Sequence, residues 1–119
     1  MTEEQIALAK RVVACKGWRW MDGMCFGEPI GRDVVMRRRF DANKETPPIG
    51  AIPILDDPAT LGCLLALVRE ASGRHSGTAR RWSIDGWYWH ADYNEQTACG
   101  HRLYPTEAAA LVAALEDAP

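Results

Sequence analysis

Two Asp-Gly dipeptides sit inside tryptophan-rich runs, WRWMDGMCF at residues 18–26 and RRWSIDGWYWH at residues 80–90. Asp-Gly between apolar runs is a strong local signal for a two-residue hairpin, because a type I′ turn needs positive φ at both central positions. Such a turn also fixes register. At Asp85-Gly86 it predicts the pairs Ile84 with Trp87, Ser83 with Tyr88, Trp82 with Trp89 and Arg81 with His90. Directly paired residues share a face of the sheet. Ile84, Trp82, Trp87 and Trp89 are therefore expected on the core side, and Arg81, Ser83, Tyr88 and His90 on the outer side. At Asp22-Gly23 the same rule pairs Met21 with Met24, Trp20 with Cys25 and Arg19 with Phe26. Both faces of that hairpin would carry apolar groups, which suits a buried central strand or contact with a second subunit.

The helices are marked by their caps. Thr2-Glu3-Glu4-Gln5 is a capping box, followed by Ile6, Leu8, Ala9, Val12, Val13 and Cys15 on one half of a helical wheel, with Gly17 as the expected stop. Asp57-Pro58 opens a second helix whose inward stripe is Leu61, Leu64, Leu65, Leu67, Val68 and Ala71, ended by Gly73. A third begins near Thr106, after Pro105, with Ala108, Leu111, Val112 and Leu115 inward. Residues 32–40, RDVVMRRRF, supply a further strand, and residues 41–53, with three prolines and Gly50, read as loop. The predicted class is α+β: three helices packed on an antiparallel sheet containing two Asp-Gly hairpins, in one domain over residues 1–119.

Composition narrows the function classes. A chain of 119 residues with 47% hydrophobic and 25% charged residues can bury a core without metal or disulfide staples. The net charge of −2 gives no general drive toward nucleic acid or acidic membranes, and no sequence-specific DNA binding is expected. The first ten residues contain no apolar signal region, and the run near Leu64 to Val68 is far too short to span a membrane, so a cytoplasmic protein is expected. Cys15, Cys25, Cys63 and Cys99 are scattered without a paired motif, and no disulfide is expected.

The candidate binding residues are arginines and rings. Arg81, Tyr88 and His90 would place a guanidinium, a flat ring and an imidazole on one outer face, a set suited to a phosphate attached to a base, or equally a solvated surface. Arg37 and Arg39 would lie together with Val35, opposite Arg38, Met36 and Phe40. They can hold a phosphate or an acidic partner, or form a solvated strand face. Cys99 and His101, with His90 or His75, lack the paired spacing of structural zinc sites, and neither a metal nor another cofactor is expected. Asp92 and Glu95 are a carboxylate pair in a loop-like segment, and no glycine-rich phosphate motif occurs. No catalytic residues are assigned.

The segments ACKGWRWMDGM, DDPATLGCLLALVREA and PTEAAALVAALEDAP together resemble a group of small uncharacterised proteins of phages and prophages of high-GC bacteria, and more loosely the phage α/β/α-sandwich proteins. The resemblance covers about a third of the chain and carries no catalytic residues with it; residues 27–53 have no counterpart. It implies a non-enzymatic binding protein in the host bacterial cytoplasm that antagonises antiviral defence, either by binding a CRISPR effector or another host defence protein complex, or by sequestering a nucleotide signal. A small phage hydrolase or nuclease using His90 or His101 with a nearby carboxylate is the alternative, and a virion or replication accessory protein a third. A homo-oligomer remains open.

Overall fold

The computed structural model describes residues 2–46, 49–82, 84–90 and 102–119. The elements are α1 (Glu3–Val13), β1 (Cys25–Ile30), β2 (Asp33–Arg39), β3 (Ile52–Pro53), α2 (Pro58–Ser72), β4 (Thr78–Trp82), β5 (Gly86–His90) and α3 (Glu107–Asp117). Three helices with antiparallel strands make this an α+β fold. Its strands form two sheets where one was expected: a three-stranded sheet in the order β2-β1-β3, and the pair β4-β5.

All three helix starts lie where side chains can satisfy the open amides of the first turn. Thr2 and Gln5 form the reciprocal capping box, Asp57 accepts from the Thr60 amide, and Thr106 accepts from the Ala109 amide. Gly73 closes α2 in the left-handed conformation. Gly17 does not close α1, which ends at Val13 with Ala14 as its cap. Gly17 instead leaves room for α2 and α3: a Cβ there would lie 2.8 Å from a Leu115 methyl and 3.1 Å from Ala71 Cβ.

α3 packs against α1, α2 and β5, and its residues Leu111, Val112 and Leu115 meet Ile6, Ala9, Val12, Leu64 and Val68 in the main core. Ile52, Ile54 and Leu55 join that core, so the expected loop at 41–53 ends in a buried strand and its continuation. Phe26, Phe40 and Ala51 form a second cluster with Trp20 against it, the Trp20 ring edge-on to Phe26 at 5.8 Å and to Trp18 at 5.4 Å. The tryptophans of the first run are thus packing residues.

The first Asp-Gly pair makes a turn, with the Met24 amide donating to the Met21 carbonyl, but the residues before it form no strand. Met21, Trp20 and Arg19 are therefore not the partners of Met24, Cys25 and Phe26. β1 pairs instead with β2 across Gly31 and Arg32, where Gly31 supplies the positive φ of 61°. β3 lies on the other edge of β1, pairing Phe26 with Pro53.

Candidate functional site

The second run forms the expected hairpin but in another register. The pairs are Thr78 with His90, Ala79 with Trp89, Arg80 with Tyr88, Arg81 with Trp87, and Trp82 with Gly86. Gly86 is thus the first residue of β5, beyond the turn. A shift of three residues is odd, and an odd slip exchanges the faces. Arg81 consequently shares a face with Trp87 and Trp89, while Tyr88 and His90 lie on the other. Nor is that other face solvated: Tyr88 is 5% exposed and His90 1%. The expected trio of Arg81, Tyr88 and His90 does not form. Trp89 does pack on the main core, as expected, but Trp82 and Ile84 are 45% and 87% exposed at the hairpin end.

The reason Gly86 is needed in the strand lies 18 residues away. Trp87 and Tyr104 exchange two backbone hydrogen bonds of 2.8 and 2.7 Å, and a Cβ on Gly86 would sit 2.7 Å from the Tyr104 carbonyl oxygen. The glycine admits the incoming chain at Tyr104. Gly77 does the same for Trp89, whose six-membered ring lies where a Gly77 Cβ would come within 2.2 Å. Arg69 Nε donates to the Gly77 carbonyl at 2.7 Å and the Gly77 amide to the Arg74 carbonyl at 3.0 Å, which fixes the α2–β4 turn.

These contacts build a recess of about 330 Å³ between β5, α3 and that turn. Its lining includes the aromatic residues Trp89 and Tyr104, the small side chains of Ala110, Ala113 and Ala114 of α3, and Arg74 and Arg102. The Arg102 guanidinium lies 5.4 Å from the centroid of the Tyr104 ring. A larger groove of about 680 Å³ runs on the far side of Arg102 and Tyr104, between α1 and α3. Sequence reading missed the recess because Arg74, Trp89 and Arg102 carry no shared motif. Among the described residues, the pairing of Trp87 with Tyr104 brings residues 102–104 beside β5.

The arginine run of β2 is held by its own protein. Met36 has φ +56°, and between Glu28 and Phe26 the register shifts, so that Met36 and Arg37 bulge opposite Gly27. The bulge breaks simple alternation. Cys25 pairs with Arg39 and Phe26 with Arg38, and Val35, opposite Glu28, falls on the Phe26 and Arg38 side. Arg37 and Arg39 still share a side, that of Cys25 and Gly27, but with Val34 and not with Val35. Arg39 makes a two-pronged ion pair with Asp57, at 2.7 and 2.8 Å, and donates to the Gly23 carbonyl. The Arg39 guanidinium foremost, and then the Thr60 amide and hydroxyl, hold the Asp57 carboxyl well below the usual carboxylate range against the opposing effect of its burial. Arg38 pairs with Glu45 and lies over the Phe26 ring at 4.9 Å.

Arg11, Arg19 and Arg32 are paired with Glu116, Glu70 and Glu3. Among the described residues, Arg37, Arg74, Arg80 and Arg102 form no ion pair.

Burial pushes the thiols of Cys15, Cys25 and Cys63 above their ordinary range, which disfavours the nucleophilic thiolate. Among the described residues no group of three or more His, Cys, Asp or Glu is placed to hold a metal ion, and no helix is long and apolar enough to cross a membrane. Asp92, Glu95, Cys99 and His101 lie outside the described residues. Comparison of the chain with protein-family models, with curated proteins and with solved structures gives no match.

Proposed function

We propose that this chain is a non-enzymatic, phage- or prophage-encoded binding protein that antagonises bacterial antiviral defence by occupying the surface of a host defence protein complex. The phage origin rests on the resemblance of the three segments quoted above. The observation that supports a protein contact is the end of the β4–β5 hairpin, where Trp82 and Ile84 project into solvent beside the exposed Arg80 and Arg81. Tryptophan and arginine are the residue types that dominate interface energetics, and an adjacent aliphatic group widens the apolar centre of such a patch. The guanidinium of Arg80 fits a partner surface that is acidic around an apolar pocket.

The burial of His90 at 1% exposure withdraws its ring from solvent, so the hydrolase reading gains no support from that residue. The experiment is phage challenge of bacteria carrying defined defence systems, with and without this gene, and with a Trp82→Ser, Ile84→Ser variant. Rescue of the phage that the double variant loses while still folding is the expected result. Absence of rescue against every defence system tested removes the antagonist reading, and undiminished rescue by the double variant removes the hairpin end as its contact.

A further inference from the structure

Five of the eleven arginines are ion-paired and Arg69 is spent on the Gly77 carbonyl; of Arg37, Arg74, Arg80 and Arg102, which form no ion pair among the described residues, two line one recess. Arg74 comes from the turn after α2 and Arg102 from the segment before Tyr104, and both line the space between Trp89, Tyr104 and the alanines of α3. We infer that this recess binds a purine nucleoside monophosphate, with the phosphate on Arg74 and Arg102 and the base against the Trp89 and Tyr104 rings.

The chemistry selects this class step by step. Two guanidiniums in one lining favour an anion over a neutral apolar ligand, and planar paired donors match phosphate oxygens. Two aromatic residues beside small alanine side chains suit a base, which stacks on an aromatic face through its own π-surface. Among the described residues, Asp117 is the one acidic side chain of the lining. An ionised carboxylate only accepts hydrogen bonds. It therefore favours a base edge bearing N–H donors, and guanine presents both a ring N–H and an exocyclic amine. A volume of about 330 Å³ falls at the small end of the roughly 300–1,000 Å³ span of small-molecule pockets, which suits one nucleotide and not a longer chain. The larger groove shares Arg102, Tyr104 and Asp117 with the recess but has neither Arg74 nor Trp89. Its Arg11 is already paired with Glu116, and Glu4 and Glu116 add negative charge that the recess does not have among its described lining residues.

The recess is also built to keep its shape. The ring of Trp89 is seated on Gly77, the turn below Arg74 is tied by Arg69, and Tyr104 is fixed by its two hydrogen bonds to Trp87. Preformed walls of this kind spare a ligand the cost of ordering them. The inference stands on the recess alone and does not rest on the antagonist reading, so a chain that rescues no phage would still bind the nucleotide.

Isothermal titration calorimetry of the whole chain with GMP, guanosine and inorganic phosphate tests it. One GMP per chain is expected, with guanosine and phosphate each bound at least about tenfold more weakly. Arg74→Gln and Arg102→Gln should each weaken GMP about tenfold at unchanged melting temperature. Arg37→Gln removes an equally unpaired arginine on the other sheet and should leave binding as it is. Should Arg102→Gln lower the melting temperature by losing its contact with Tyr104, Arg74→Gln decides, since Arg74 makes no ion pair or ring contact among the described residues. GMP bound no more tightly than inorganic phosphate, or bound equally well by a normally folded Arg74→Gln chain, overturns the inference.

Discussion

The two hairpins use arginine in opposite ways. In the β1–β2 hairpin two arginines of the densest positive run of the chain are engaged by the protein itself: Arg39 clamps the N-terminus of α2 through Asp57, and Arg38 spans Glu45 and Phe26. Around the β4–β5 hairpin the arginines are sparser, yet Arg74, Arg80 and Arg102 have no carboxylate partner among the described residues. Local charge density is thus a poor guide to where a protein meets an anion. A guanidinium already holding a buried carboxylate has its donors occupied, while an isolated one beside aromatic rings keeps them available.

The largest effect that distinguishes the two regions comes from their glycines. A Cβ on Gly77 would meet two carbons of the Trp89 ring at 2.2 and 2.3 Å, a rigid ring held between core and turn. On Gly27 it would meet a Val34 methyl at 2.5 Å and the Val35 carbonyl oxygen at 3.1 Å. Overpacking a well-filled site costs about 1–3 kcal/mol. Gly77→Ala should fall at the upper end of that range, about 3 kcal/mol, and Gly27→Ala nearer 1 kcal/mol, because one valine rotamer can change. Denaturant titration gives both values. Gly77→Ala should also shift tryptophan fluorescence and weaken GMP binding, while Gly27→Ala should do neither. Equal costs with no change in fluorescence would mean that Trp89 is not seated on Gly77.

The same contrast explains what was legible in the amino-acid sequence. Helix caps are local, each satisfied within three residues, and Thr2, Asp57 and Thr106 could be read directly. Strand register was not local. Asp85-Gly86 looks like a turn, but Gly86 is a strand residue because Tyr104 approaches it, and no pattern near residue 86 announces that approach. The three-residue slip that follows separated Arg81 from the face of Tyr88 and His90. The bulge in β2 was equally hidden, since Met36 takes a left-handed conformation that glycine or asparagine would have signalled. Arg37 and Arg39 kept a common side only because the bulge moves both. The recess was out of reach for the reason that the hairpin register was: it depends on which distant backbone pairs with β5.

The next effect isolates the clamp of the first region. Asp57 caps α2, accepts from the Thr60 amide and hydroxyl, and holds Arg39. The Thr60 hydroxyl in turn accepts from the Cys25 amide at 2.8 Å, tying the cap to β1. Asp57→Ala should cost about 2 kcal/mol, the upper end for a lost cap, because the Thr60 hydroxyl loses its acceptor as well. The pH dependence has a definite sign. The folded-state carboxyl titrates below its unfolded value, so its contribution is complete above the ordinary carboxylate range near pH ~4 and is lost as pH falls through the lower folded value. Unfolding midpoints measured downward from pH 5 should fall more steeply for the native chain than for Asp57→Ala. Parallel curves would show that the clamp contributes nothing to acid stability.

A smaller effect of opposite sign is expected at the bulge. Met36 is 71% exposed, so little packing opposes its replacement. Its left-handed backbone costs a non-glycine residue roughly 1–2 kcal/mol, less for asparagine, which bonds locally in that conformation. Met36→Asn should therefore raise stability by about 0.5 kcal/mol, whereas Met36→Gly should be nearly neutral because the unfolded chain gains freedom. Thermal melts of the two variants separate these terms. A destabilised Met36→Asn would indicate that the methionine side chain holds the bulge through contacts of its own.

The smallest effect on stability carries the most information about the hairpin end. Ile84 is 87% exposed and its side chain gives up almost no apolar contact on truncation, so Ile84→Ser should melt within about 0.5 kcal/mol of the native chain. The Asp85 amide that donates to the Trp82 carbonyl is a backbone group and survives the change. An isoleucine kept in water beside a half-exposed tryptophan is a cost to solubility that folding does not require. If the pair serves a partner, Ile84→Ser should leave melting and GMP binding intact, improve solubility, and reduce rescue in phage challenge. Because the site on α3 and the hairpin end are separate surfaces, loss of both GMP binding and rescue in this one variant would break the division drawn between them and place a single binding face across β5.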